Sequence, residues 1–329
     1  MGARFAMILY VNRSGSTLLS RLLTEWFEDA FVFPEISFLL HLMLDRARGK
    51  IHQGQSLFDV VSADPRIDAL GLDPAALHAI CCRSSSEDLA AFLTELAVES
   101  GGRDAYRVIV FKFETLLYLH DEVLKAFPGL KTIHLVRDPR AVVGSMLRSD
   151  LPEKPGFNMA RNSLIFAARH WRSYVRRASA VGRAQSLLTI RFESIGREQE
   201  AVLASLSDFL GLPTSRHGPL QRRYRISKLD RDLHAHVFRP FIEERASGWA
   251  AELPERAVAV VEALCAPEMR QFGYAPTVTA PSRFAMLRAY AAHGVQMLDH
   301  TFRTLAVYLR RTDRFSSLSR RAKVYLMKR

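Results

Sequence analysis

Five short segments, 4–11, 30–33, 107–111, 131–136 and 187–191, are mostly apolar at consecutive positions. Runs of this kind read as strands buried on both faces, the habit of parallel sheets. Between them the apolar positions recur at threes and fours. Leu18, Leu19, Leu22, Leu23 and Trp26 form one helical stripe. Leu116, Leu117, Leu124 and Phe127 form another, ended by Pro128-Gly129. Leu164, Ala168, Trp171 and Val175 follow, then Val202, Leu203, Leu206, Phe209 and Leu210 before Gly211, then Val258, Val261, Leu264 and Cys265. Strand-like and helix-like segments in alternation predict an α/β fold, a parallel β-sheet flanked by crossover helices. Segments 48–85 and 212–247 have weak periodicity and many Gly, Pro, Ser, Arg and His, and read as loop-rich insertions over the open end of the sheet.

The body closes at 273–277, Gly-Tyr-Ala-Pro-Thr. Beyond it Phe284, Leu287, Ala291, Val295, Leu298, Phe302, Leu305 and Leu309 mark a long amphipathic helix with arginines off the stripe. Two parts are therefore expected: a domain over 1–276 and a basic, helical C-terminal extension over 277–329.

Composition narrows the class. Of 329 residues 48% are apolar and 24% charged, which excludes disorder and collagen-like repeats. Three cysteines, two of them adjacent at 81 and 82, cannot form a disulfide framework and have no zinc spacing. They read as thiols in a reducing compartment, so a cytoplasmic location is expected. The apolar start at Phe5 is too short for a signal segment, and no run of about 18 apolar residues exists to span a bilayer. The formal charge is +12, but residues 277–329 carry eleven Lys/Arg against Asp299 and Asp313, so +9 of it lies there. The nearly balanced body argues against a nucleic-acid partner, despite a pI near 9.9.

Two constellations carry chemistry. The first strand runs into Asn12-Arg13-Ser14-Gly15-Ser16-Thr17 and a helix starts at once. A strand, a small-residue loop and a helix N-terminus make an anion cradle. Ser14, Ser16 and Thr17 add hydroxyls, and Arg13 a fixed charge. No lysine follows the glycine as in a Walker A loop, so the γ-phosphate of ATP has no partner here. The second constellation is Leu135-Val136-Arg137-Asp138-Pro139-Arg140, with Ser145 two turns further on. Asp138 suits a helix cap and Pro139 the first helical position. Arg137 and Ser145 are able to grip a second phosphate; a cap network alone is the competing reading.

Together the two motifs closely resemble the PAPS-dependent sulfotransferase family, nearer its carbohydrate-, lipid- and protein-acting branch than its cytosolic small-molecule branch. The resemblance continues in Arg191-Phe192-Glu193-Ser194-Ile195, in the helix end near Leu212, in Gly248-Trp249 and in Phe272-Gly273-Tyr274. It implies a P-loop-type sheet and an enzyme that moves a sulfuryl group from 3′-phosphoadenosine 5′-phosphosulfate (PAPS) to a hydroxyl of a carbohydrate, glycolipid or other small acceptor. By position it assigns the 5′-phosphosulfate to Arg13, Ser14, Gly15, Ser16 and Thr17, and the 3′-phosphate to Arg137 and Ser145.

Two departures from the family pattern matter. Arg13 stands where the small-molecule branch has Lys, and Lys112-Phe113-Glu114 stands where that branch has a Lys-Thr-His triplet. The other branch often places a glutamate after its second strand, and Phe33-Pro34-Glu35 matches. Glu35 is therefore the first choice for general base, with Glu114 second and a helix-capping Glu35 the bland alternative. Lys112 and Arg13 would neutralise charge on the transferring group. No Asp set for Mg²⁺ is evident and no metal is expected. His134, inside an apolar strand, reads as a packed core histidine; Trp171, Trp249 and Phe192 read first as packing residues. His217, His234 and His236 lack ligand spacing.

The basic helix after 283 has three readings: packing on its own domain or a second protomer as a homodimer, peripheral contact with an anionic membrane, or polyanion binding. Packing is the default. The competing readings of the whole chain are a P-loop-type kinase using ATP and a non-enzymatic basic protein that binds membrane or polyanion.

Overall fold

The computed structural model describes residues 2–151, 154–182, 186–215, 224–234, 237–238 and 248–309. The chain divides into two compact units, one of residues 1–136 with 177–243 and one of residues 137–176 with 244–329.

The first unit is built on a five-stranded parallel sheet. Its strands are β1 (Arg4–Tyr10), β2 (Ala30–Val32), β3 (Val108–Lys112), β4 (Lys131–Val136) and, after a two-stranded antiparallel hairpin of β5 (Asp150–Leu151) and β6 (Lys154–Asn158) in the other unit, β7 (Leu187–Arg191). The order is β2-β3-β1-β4-β7. Register is fixed by pairs such as Met7 with Phe111 and Ile8 with Ile133. Ala6 to Leu9, Ile109 to Phe111 and Ile133 are wholly buried, as the unbroken apolar runs require. All five strands predicted from the sequence are present, with ends shifted by at most one residue.

The connection leaving β1 runs toward β2, and that leaving β4 runs toward β7. These neighbours therefore send their chains in opposite directions. In an open parallel sheet, the carboxyl ends of such a pair frame the crevice where ligands bind.

Helices α1 (Ser16–Trp26), α2 (Phe38–Arg46), α3 (Gln55–Ser62), α4 (Pro74–Arg83), α5 (Leu89–Gly101) and α6 (His120–Ala126) precede β4. The expectation of loops over 48–85 is corrected here: α3, α4 and a 3₁₀ turn, Ile67–Leu70, occupy most of it. Each helix buries only two or three residues, Leu57 and Val61 in one and Leu77, Ile80 and Cys81 in the other, too few to show a stripe. The start of α4 was nonetheless legible, because the Asp73 carboxylate accepts from the amides of Ala75 and Ala76, and Pro74 takes the first helical position. The expected helix over 116–127 splits into a 3₁₀ turn, Glu114–Leu119, and α6. His134 is buried on β4, and burial pushes its imidazole down to about 4, so it is a neutral core residue. The three cysteines are free thiols.

The second unit contains α7 (Pro139–Arg148), most of α8 (Leu164–Gly182) and the helices Glu255–Gln271 and Arg283–Leu309. Its polar core is centred on Arg140. The guanidinium donates to Asp138 (2.6 Å) and to Glu262 (2.6 Å), and it stacks 4.0 Å from the Trp249 ring. Asp138 also caps α7 through the Arg140 amide. Trp171 donates its indole N–H to the Arg137 carbonyl at 3.0 Å. Trp171 and Trp249 thus pack, as expected.

Candidate active site

The loop between β1 and α1 is held in an unusual backbone. Arg13 has φ +74° and Gly15 φ +90°, with Ser14 between them outside the left-handed region. Alternation of this kind turns successive amides to one side and makes an anion-binding concavity at a helix N-terminus. Gly15 is required twice over. Its φ disfavours any side chain, and a Cβ there would lie 2.3 Å from the Phe192 ring. Phe192 therefore presses on the loop from the start of α9 (Phe192–Arg197), as a packing residue. Ser14 is buried, and its Oγ has no hydrogen-bond partner among the described residues. An orphaned hydroxyl beside such a concavity fits an anionic oxygen.

Lys112, the last residue of β3, reaches this loop. It is 1% exposed, and its Nζ donates to Thr17 Oγ1 at 3.2 Å and Ser16 Oγ at 3.4 Å. Tyr10 and Tyr224 place their rings 5.6 and 5.8 Å from it. Burial pushes the ammonium down to about 8, against the pull of Glu35. Glu35 lies just past β2, its carboxylate 4.0 Å from Lys112 Nζ and 23% exposed, so it is reachable from outside. Desolvation raises its pKa, and Lys112 opposes the rise.

A recess is lined by Thr17, Pro34, Glu35, Lys112, Tyr224, Ser227, Asp230 and His234, among others. Asp230 pairs with Arg66 at 2.5 Å, and Ser227 donates to Asp68 at 2.6 Å, tying this lining to the turn before α4. His234 Nε2 is 3.5 Å from Thr17 Oγ1; burial first, then Lys112, Arg13 and Arg66, hold it down to about 3, so it is neutral. Two carboxylates, a depressed lysine and a neutral histidine converge where the cradle opens, a setting for proton transfer beside a bound anion.

The residues predicted from the sequence are thus placed as follows. Arg13 to Thr17, Lys112 and Glu35 come together. Arg13 also donates to the Leu233 carbonyl at 3.4 Å. Glu114 does not line the recess; it is buried and accepts from Asn12 Nδ2 at 2.9 Å, which braces the loop. Arg137 and Ser145 lie in the second unit, Arg137 directly after β4 and Ser145 on α7. Sequence reasoning did not name Tyr10, Arg66, Tyr224 or Asp230, and gave His234 only a candidate part in shaping the acceptor site. The hint was that 48–85, which holds Arg66, and 212–247, which holds Tyr224, Asp230 and His234, both read as insertions over the open end. Among the described residues no cluster of His, Cys, Asp or Glu is able to hold a metal ion.

A parallel sheet ending in an anion cradle of this kind defines an anion-binding α/β fold, and the comparisons with known proteins narrow it to one family. Residues 6–216 match the model of the sulfotransferase family, so the chain belongs to that family and is a sulfotransferase. Protein-tyrosine sulfotransferase 1 of Danio rerio is 25% identical over 291 residues, 83% of this chain and 72% of that protein. The fold is shared with the sulfotransferase domain of the Synechococcus PCC 7002 olefin synthase (24% identity, 83% and 96% of the two chains, TM-score 0.56). It is also shared with that of the curacin biosynthetic pathway (19%, 84% and 99%, TM-score 0.55).

Proposed function

We propose that this sulfotransferase uses PAPS as donor and Glu35 as general base. The carrying observation is that one buried ammonium, Lys112, touches both Ser16 and Thr17 of the anion cradle and the base candidate Glu35. Ser14 to Thr17, Arg13 and Lys112 would hold the 5′-phosphosulfate, the group that supplies the sulfuryl. Arg137 and Ser145 would hold the 3′-phosphate. Support for that second assignment comes from the sheet: β1 and β4 are parallel neighbours, the cradle follows one and Arg137 follows the other.

In the reaction the acceptor oxygen forms a bond to sulfur as the bond from sulfur to the phosphate oxygen breaks. Glu35 takes the hydroxyl proton, and Lys112 offsets negative charge on the leaving oxygen. A carboxylate whose pKa is raised by desolvation is a better base near neutrality than an exposed one. Glu114, engaged by Asn12, acts on the loop rather than on the acceptor.

The acceptor is a hydroxyl compound, and the tyrosine sulfotransferase relative adds phenols to the carbohydrate and glycolipid alcohols to be assayed. Calorimetric binding of 3′-phosphoadenosine 5′-phosphate (PAP) at 1:1 with no binding of ATP supports the reading, and the reverse preference overturns it. Transfer of labelled sulfate from PAPS into a cell extract then identifies the acceptor.

A further inference from the structure

The Arg283–Leu309 helix carries its apolar stripe outward. Phe284, Leu287, Val295, Leu298, Phe302 and Leu305 are each 52–69% exposed. At about 100° per residue these six fall within an arc of roughly 80°. The side turned toward the rest of its own unit is different. Ala285, Met286, Ala289, His293, Gln296, Met297, His300 and Thr304 are the half-buried positions, and His293 Nδ1 lies 2.8 Å from Ser163 Oγ. His293 sits roughly 160° around the helix from the centre of the stripe. A helix seeking only to pack on its domain would bury Phe and Leu and expose Ala and His. This one does the opposite, and it leaves a contiguous apolar strip of the kind that marks an interaction surface.

Charge decides between occupants. Arg283 and Arg288 flank the stripe, Arg303 lies further round and pairs with Asp299 at 2.8 Å, and residues 310–329 add eight Lys/Arg against Asp313. A second copy would bring the same positive charge to the stripe, and the helix has no acidic flank with which to pair it. An anionic lipid surface matches both features, apolar stripe into the acyl boundary and arginines at the headgroups. Among the described residues no helix is long and apolar enough to cross a membrane. We infer that the Arg283–Leu309 helix lies in the plane of an anionic bilayer and docks the enzyme there.

The test uses the full chain and vesicle flotation. Vesicles of phosphatidylcholine with about a third phosphatidylglycerol should carry the protein up, and pure phosphatidylcholine should carry far less. Raising the salt should release it. Leu298→Glu/Phe302→Glu should weaken flotation at least about tenfold, because each charge would have to enter the apolar boundary. Both positions are exposed, so the variant should keep its unfolding temperature and its PAP binding. Failure of the wild type to float, or equal flotation of the variant, overturns the inference. So does a wild-type dimer in sedimentation velocity that the two substitutions convert to monomer, since the stripe would then be covered by its own copy.

Discussion

Lys112 should lower stability in exchange for activity, and the structure gives the size of the effect. The ammonium is buried between two tyrosine rings, and its pKa falls from 10.5 to about 8. At 1.36 kcal/mol per unit, keeping it charged at neutral pH costs on the order of 3 kcal/mol. Below about pH 8 both folded and unfolded chains hold the proton and the cost is fully present. Between about 8 and 10.5 the folded chain sheds the proton first, so stability rises with pH; above that window the gain is complete. Lys112→Met removes the titration and keeps the volume. Urea unfolding at about pH 7.5 and 9.5 should show the wild type gaining about 2 kcal/mol relative to the variant. At the lower pH the variant should be no less stable than the wild type, because a well-packed apolar side chain replaces a desolvated charge. Sulfuryl transfer should fall by about a hundredfold or more. Parallel stability profiles of the two proteins, or transfer surviving in the variant, would refute this account of Lys112.

Glu35→Gln should leave PAP affinity within about twofold and lower turnover by about 10²–10⁴, measured by calorimetry and labelled transfer. In the wild type the acid limb of turnover should lie above the ordinary carboxylate value, with activity falling as pH drops through it, because burial raises Glu35; a limb at the ordinary value would contradict the base assignment. Gly15→Ala should abolish PAP binding, since its Cβ would meet Phe192 at 2.3 Å at a φ of +90°; adding Phe192→Ala removes the clash but not the backbone strain, so recovery should be partial. Arg140→Ala should destabilise the chain by about 3–5 kcal/mol in thermal or urea unfolding, because it strands the buried Asp138 and Glu262 carboxylates.

The sheet was legible because β1, β3 and β4 are buried on both faces and so are apolar without interruption. The cradle was legible because strand, glycine and helix start are consecutive in the chain. Lys112 and Glu35 could be named because the family resemblance puts a lysine after the third strand and a glutamate after the second. The rest of the recess was not legible. Arg66 and Asp230 meet across 164 residues, and the Tyr224 hydroxyl reaches the Phe33 carbonyl across 191. Pairings that distant leave no periodicity in either segment. The same holds for Glu114, named for the lysine two residues before it: its hydrogen bond from Asn12, 102 residues away, left no mark in either segment.

The most direct measurement compares PAP with adenosine 5′-phosphate, which lacks the 3′-phosphate, on the wild type and on Arg137→Ala. If Arg137 grips that phosphate while the β1–α1 loop holds the other end, the wild type should prefer PAP by about a hundredfold, and the variant should lose most of that preference while its affinity for adenosine 5′-phosphate stays near wild type. An undiminished preference in Arg137→Ala would contradict the two-handed grip on the donor.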